Sequence, residues 1–428
     1  MGATLLKARW VFATARARFE RGGVLLSGGR IVRVLENESA TARCARSGGV
    51  RVLDLRDCVL APGFVDAHVH LDLTALEGRL EGRGTFAAWI KALVRERSRI
   101  SKRALKEAVL RGADRLISSG TTCVGDIDSS GVAEVALRTH PLRAVIYREA
   151  LDAGRSERAA GALARASRPF ARSARVSPGI SPHAPYTVSR ELLASLAALS
   201  KRRRWPASIH WAETREEVDW LARGAGPFRA LLRGSRSPRT SGLDAIEASG
   251  LLGPGLTLVH GNHPSPGDLS RIARAGAVLV HCPGTHLYFG REPFPLRRWL
   301  EAGVTVALGT DGLSSNAELD MRREMSLLRQ ADPGLRPEVA LDLATRAGAR
   351  ALGLAGRAGE IVPGAFADLC AHRFPGSPAS GRRGSGELLD ALTSGRSSVA
   401  GVWIGGRPVV PPREFRRQTS ESRRANAE

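Results

Sequence analysis

Two histidines separated by a single residue stand in Val65-Asp66-Ala67-His68-Val69-His70-Leu71, where the apolar run 58–65 gives out. Side chains on an extended strand alternate with period two, so both imidazoles emerge on one side and reach one point in space. Such a pair suits a divalent metal ion. The plainer reading is two polar residues on the solvent face of a strand. A metal needs more ligands, and three later apolar runs end on suitable residues. Ser208-Ile209-His210-Trp211-Ala212-Glu213 brings a histidine and an acid, Leu258-Val259-His260-Gly261-Asn262 a histidine, and Ala307-Leu308-Gly309-Thr310-Asp311-Gly312 an aspartate. Each alone is weak, because a lone histidine at a strand end is more often an ordinary hydrogen-bonding group. Together they become specific only if one scaffold brings all the strand ends to one rim.

The chain reads as such a scaffold. From about residue 60, candidate strands at 59–69, 121–127, 143–150, 175–181, 207–211, 257–260, 277–281 and 305–309 alternate with helical stretches such as 86–99, 102–118, 190–201 and 296–302. Strand–helix alternation implies parallel βαβ units, and eight of them match an α/β fold of the TIM (β/α)8 barrel type. The rival is an open doubly wound sheet, but no GxGxxG follows a first strand. Residues 1–57 alternate like short strands between glycine turns, and β character returns after a helix at 336–353. The predicted organisation is a barrel at 58–357 and a small composite β-sandwich domain from both chain ends, 1–57 and 358–412. Residues 376–386 read as a loose loop and 413–428 as a disordered basic tail.

Composition narrows the function. The net charge of +22 comes from 64 Lys+Arg against 42 Asp+Glu, densest at 201–204 and 413–424. No zinc-finger, RRM or KH pattern accompanies it, and 5% aromatic residues offer little for base stacking. A solvated Arg-rich surface without a specific nucleic-acid partner is expected. Five scattered cysteines, with no CxxC, fit free thiols in a reducing compartment. No run is as long as a membrane span and no signal peptide is visible, so a cytoplasmic protein without a membrane partner is expected. Assembly as a homodimer stays open.

The stretches Pro62-Gly63-Phe64-Val65-Asp66-Ala67-His68-Val69-His70, His210-Trp211-Ala212-Glu213 and Leu308-Gly309-Thr310-Asp311-Gly312 resemble the amidohydrolase superfamily of metal-dependent hydrolases, and within it the mononuclear deaminases. The resemblance covers nearly the whole chain. It implies that His68, His70, His210 and Asp311 bind one divalent ion, Zn²⁺ with Fe²⁺ as the alternative. Dinuclear members carry a lysine on the fourth strand, and 176–183 has none. The ion would make bound water nucleophilic at neutral pH. Glu213 would be the proton shuttle, His260 would orient the nucleophile, and Asp311 would accept the water's proton as well as touch the metal. Without the resemblance, Glu213 reads equally as a surface acid at a helix start.

Pro182-His183-Ala184-Pro185-Tyr186-Thr187 and 308–316 resemble the branch that deaminates adenosine-type compounds: S-adenosylhomocysteine and adenosine deaminases, and aminofutalosine deaminases. That branch implies substrate contacts from Trp89, Arg148 and His183. Trp89 reads equally as packing on an amphipathic helix. Where the S-adenosylhomocysteine branch has an acid two residues before this tryptophan, the chain has Ala87; Glu77 is a candidate replacement. The stretch 281–296 is closer to aminofutalosine deaminase-like members, and within it His286 is either a binding residue or a loop residue without a role. The implied activity is release of ammonia from a 6-aminopurine nucleoside derivative. Hydrolysis of another C–N or a C–Cl bond on a nitrogen heterocycle, and an inactive barrel that only binds, are the alternatives.

Overall fold

The computed structural model describes residues 2–412 apart from 83, 172 and 376–382. Eight strands form one parallel sheet in chain order: Phe64–Val69, Thr121–Asp128, Arg143–Ala150, Val176–Pro182, Ala207–Trp211, Leu256–His260, Val278–His281 and Thr305–Leu308. The eighth strand returns to the first through a parallel bridge between Val69 and Asp311. There Asp311 N donates to His68 O at 2.9 Å and His70 N donates to Asp311 O at 2.7 Å. The sheet is therefore closed, and it is the (β/α)8 barrel expected from the alternation.

The local chemistry of these elements is simple. Barrel strands are covered on both faces, so apolar residues run consecutively in several of them; Val278, Leu279 and Val280 are all essentially inaccessible. The surrounding helices carry one apolar stripe. Lys102–Ser118 buries Leu105, Ala108, Val109, Gly112, Ala113, Leu116 and Ile117, at steps of three and four, and Ser101 caps its start by accepting from Ala104 N.

The chain ends build the small domain together. One sheet holds Ala3–Lys7, Gly23–Ser27, Arg30–Leu35 and Val50–Asp54; the other holds Trp10–Phe12, Arg18–Glu20, Val59–Pro62, Leu369–Arg373, Ser398–Ile404 and Arg407–Val410. Leu6, Val11, Val24, Ile31, Leu60, Leu369 and Trp403 share the core between them. This is the composite sandwich expected.

Three sequence expectations differ from the structure. The run 59–69 is two strands: Val59–Pro62 pairs with Leu369–Arg373 in the small domain, and only from Phe64 does the chain enter the barrel. Hydrophobicity is uniform across the join, so it carried no boundary signal. The helix expected at 336–353 is broken into Pro337–Leu343 and Arg346–Ala351. The helix Glu38–Ala45, capped by the Asn37 side chain, lies in a stretch read as strands and turns. The loop expected at 376–386 falls largely, and the tail at 413–428 wholly, outside the described residues. All five cysteines are buried thiols. Among the described residues no helix is long and apolar enough to cross a membrane.

Gly63 is the join between the two strands. A Cβ there would lie 2.1 Å from Thr122 Oγ1 and 2.2 Å from Thr122 Cγ2 on the second barrel strand. Gly63→Ala must therefore push the first two strands apart beneath the site. Overpacking of this kind costs about 1–3 kcal/mol, and chemical denaturation should show a loss of that size.

Candidate active site

The first, fifth and eighth strands bring four side chains to one point at the C-terminal rim. His70 Nε2 lies 3.3 Å from His210 Nε2. Asp311 Oδ1 lies 3.5 Å from His68 Nε2 and 3.7 Å from His70 Nε2. Ring nitrogens of His68, His70 and His210 all fall within 4.8 Å of one another. His68 is wholly buried, yet neither of its ring nitrogens has a protein partner. His210 Nδ1 donates to His183 O at 2.8 Å, which leaves Nε2 turned towards His70. Burial holds His68 and His70 below the ordinary histidine range, so both are neutral. Burial opposes the charge on Asp311, but the neighbouring imidazoles of His68, His260 and His70 together outweigh it and keep that carboxyl well below its usual range. Converging imidazoles, one of them with both ring nitrogens unpartnered, facing one ionised carboxylate are a donor set that fits one divalent cation.

Buried acids fix the backbone behind these four residues. Asp66 Oδ1 accepts from His68 N and Thr310 N at 3.2 and 3.1 Å, and Asp66 Oδ2 accepts from the Thr310 hydroxyl at 2.5 Å. One carboxylate thus ties the His-Val-His strand to the residue preceding Asp311. Its own pKa is pushed up to about 7 by burial. Gly309 allows this approach, because a Cβ there would come 2.8 Å from His68 O. Ser315 Oγ donates to Asp311 Oδ2 at 3.1 Å.

Glu213 and His260 stand beside this cluster. Glu213 Oε2 is 3.6 Å from His260 Nε2, and Glu213 Oε1 accepts from Arg291 at 2.8 Å. Burial raises the Glu213 carboxyl above its ordinary pKa, against the pull of Arg291. Glu217 accepts from Ala212 N and Glu213 N at 3.0 and 2.8 Å and so fixes the turn that aims Glu213. Arg291 and Glu217 were not singled out from the sequence. Arg291 lies 78 residues from Glu213 with no spacing rule to connect them. Glu217 does carry a signal, since Thr214 and Glu217 form the Thr-x-x-Glu pattern of a helix start, and Thr214 caps Arg215–Arg223.

A chamber of about 270 Å³ opens above the cluster. Its outer wall is apolar, with Leu73, Phe86, Trp89, Ile90, Leu93, Leu231 and Phe289. Trp89 stacks on Phe86 with ring centres 5.5 Å apart and meets Phe289 edge-on at 5.2 Å. His183 lines the same chamber; its Nδ1 bonds the Thr187 hydroxyl at 2.7 Å, and burial lowers its pKa to about 3.

Arg148 corrects the expectation. It points out of the barrel, where it pairs with Glu134 at 2.6 Å and donates to Pro169 O at 2.9 Å. The next residue, Glu149, faces the chamber instead. The reason is the alternation of a strand: Arg148 and Glu149 cannot both point inward. Glu149 is the chamber residue that sequence reasoning missed, although the same alternation would have found it. Its Oε1 is buried without a partner, and burial raises its pKa to about 7. Glu77 does not reach the chamber; it is half exposed and pairs with Arg115 at 2.8 Å. Ala87 packs against Tyr186, Trp220 and Phe228 behind the chamber wall. His286 lies outside the chamber as well, bonded to Glu292 O at 2.5 Å and edge-on to His281.

Comparison with known proteins agrees with this geometry. A model of the amidohydrolase family matches residues 59–409. The 5-methylthioadenosine/S-adenosylhomocysteine deaminase of Haloquadratum walsbyi is 32% identical over 360 residues, covering 80% of this chain and 77% of that one. The aminodeoxyfutalosine deaminase of Deinococcus radiodurans is 31% identical over 314 residues, 69% of this chain and 73% of that one. Among solved structures, a zinc-bound adenosine deaminase from Xanthomonas campestris aligns with a TM-score of 0.78 at 25% identity, covering 98% of this chain and 97% of that one. The matched region holds all four residues gathered at the rim, and the chain belongs to the amidohydrolase family.

Proposed function

We propose that the protein is a metal-dependent aminohydrolase that hydrolyses the exocyclic amine of a 6-aminopurine nucleoside derivative, giving the 6-oxo compound and ammonia. The observation that carries this reading is Glu213, a buried acid 3.6 Å from His260 at the inner end of an aromatic-walled chamber. The deaminase relatives support the substrate class.

His68, His70, His210 and Asp311 would hold the ion. Zinc is favoured over iron, because three imidazoles and a carboxylate suit it and the Xanthomonas campestris relative binds it. When bound, such an ion supplies Lewis acidity that makes water nucleophilic near neutral pH. The remaining chemistry belongs to the chain. Asp311 accepts a proton from the attacking water. His260, buried and neutral, orients the nucleophile by hydrogen bonding. Glu213 carries the water's other proton to the ring nitrogen beside the attacked carbon and relays the one held by Asp311 to the departing amine, which leaves as ammonia because it cannot leave as an amide anion. Arg291 holds the Glu213 carboxylate in place between turnovers. Trp89, Phe86 and Phe289 clasp a flat base and keep bulk water from the site.

The test is ammonia release by metal-loaded protein across adenosine, 5′-methylthioadenosine, S-adenosylhomocysteine and other aminated heterocycles, followed also by the purine absorbance change. Activity on at least one aminopurine nucleoside is expected, and no ammonia from any of them would reject the reading. Dialysis against a chelator should abolish turnover, and one equivalent of zinc per chain should restore it. Glu213→Gln keeps the shape of the side chain but cannot relay a proton. Its kcat should fall by about two to four orders of magnitude, with zinc content unchanged. A chlorinated heterocycle hydrolysed equally well by that variant would favour the C–Cl alternative.

A further inference from the structure

Glu149 has no task in the chemistry above, yet it occupies a costly position. It stands on the third barrel strand, faces the chamber, and keeps Oε1 buried without any donor. A carboxylate can only accept hydrogen bonds, and leaving one of its oxygens unsatisfied away from water is expensive. The donors that would satisfy it must come from whatever fills the chamber.

A second metal ion does not serve. Glu149, His183 and His210 do offer atoms within 4.8 Å of one another. But His210 Nδ1 is engaged by His183 O, and its Nε2 already faces His70. One imidazole cannot serve two ions with a single free nitrogen.

The order of strands says which part of a substrate lies there. The third and fourth strands flank the fifth on one side, and the sixth flanks it on the other. Glu213 keeps company with His260 of the sixth strand, and Glu149 with His183 of the fourth. The two acids therefore stand on opposite sides of His210. The argument now rests on the proposed aminopurine reading. With the amine at the metal and a ring nitrogen at Glu213, the base has nothing to give Glu149, because the other ring nitrogens of a 6-aminopurine nucleoside are acceptors. Its one donor group is the amine that leaves. The donors that remain are sugar hydroxyls, and a vicinal pair matches the two oxygens of one carboxylate. Arg97, anchored to buried Asp72 at 2.9 Å, lines the same chamber and adds a fixed positive charge. Neither Ala87 nor Glu77 competes for this role, since neither faces the chamber.

We propose that Glu149 is a specificity-determining residue that accepts hydrogen bonds from the vicinal 2′ and 3′ hydroxyls of the substrate's ribose, so that the enzyme selects ribosides over deoxyribosides.

The experiment compares kcat/KM for adenosine, 2′-deoxyadenosine and 3′-deoxyadenosine in the zinc-loaded protein, Glu149→Gln and Glu149→Ala, with zinc content and melting temperature measured alongside. The unsubstituted protein should prefer adenosine over at least one deoxy analogue by about tenfold to a hundredfold, the size of a hydrogen bond to a charged group. In the variants adenosine should lose a similar factor, mainly through KM, while that deoxy analogue is nearly unaffected, so the preference disappears. An equal drop in kcat for all three substrates would mark a merely structural role and overturn the proposal. So would a preference that survives in the variants, or its absence from the unsubstituted protein, an arm that holds even if neither variant folds. No ammonia from any aminopurine nucleoside with the unsubstituted protein would reject the deaminase reading itself, and this inference with it.

Discussion

The barrel closes through the residues that make its site. Its seam between eighth and first strands is short, and the backbone of His68, His70 and Asp311 forms it: Asp311 N on His68 O, and His70 N on Asp311 O. Closing the sheet and gathering these side chains are thus one event. A slip of one residue at this seam would turn both histidines to the wrong side, because side-chain direction reverses at every step of a strand. Asp66 guards against that slip. It grips His68 N and both donors of Thr310 from beneath, so the register is set by a side chain as well as by the ladder.

The same device recurs around the rim. Loops at strand ends have backbone N–H groups that no ladder satisfies, and burying them without a partner is costly. Here buried carboxylates accept them. Asp126 takes Leu71 N just after the His-Val-His strand. Glu217 takes Ala212 N and Glu213 N after the fifth strand. Glu324 takes Gly284 N after the seventh and the Asn316 amide, whose Nδ2 also bonds Thr310 O. Each of these acids is pushed above its ordinary pKa by burial. Their role is to hold loops, and their number near the rim reflects how many irregular turns the site requires.

What the sequence made legible follows from which forces are local. Seven barrel strands and the long helix Lys102–Ser118 came from apolar runs and 3.6-residue periodicity, which depend only on near neighbours. His68, His70, His210 and Asp311 were visible because each ends such a run, and in a barrel all strand ends share one rim. Arg291, Asp66 and Glu324 were not visible, because their partners lie 78, 244 and 40 residues away and nothing in the chain announces those meetings. Arg148 is a different kind of miss. The strand was correctly bounded, but its face was assigned by resemblance and not by alternation, and alternation puts Glu149 inside. The join at Gly63 was missed because both halves of the run 59–69 are fully buried, one in each domain.

The site also holds costly local geometry. Ala212, His260 and Asp311 have φ values of +50°, +75° and +59°, in the left-handed region that disfavours residues with a side chain. Each follows or ends a barrel strand, where a sharp reversal turns a functional group over the barrel mouth. Such residues cost about 1–3 kcal/mol each. His68 keeps two ring nitrogens, and Glu149 one oxygen, without partners in the same small region. The barrel beneath is densely apolar, which is what allows its rim to hold these turns and unpaired polar atoms in place. These unmet needs are complementary in chemistry: lone pairs of neutral imidazoles call for a cation, and a carboxylate oxygen calls for donors. The fold holds them ready before anything binds, so the free energy of meeting them is available to a cation and to a hydrogen-bond donor that enter the chamber.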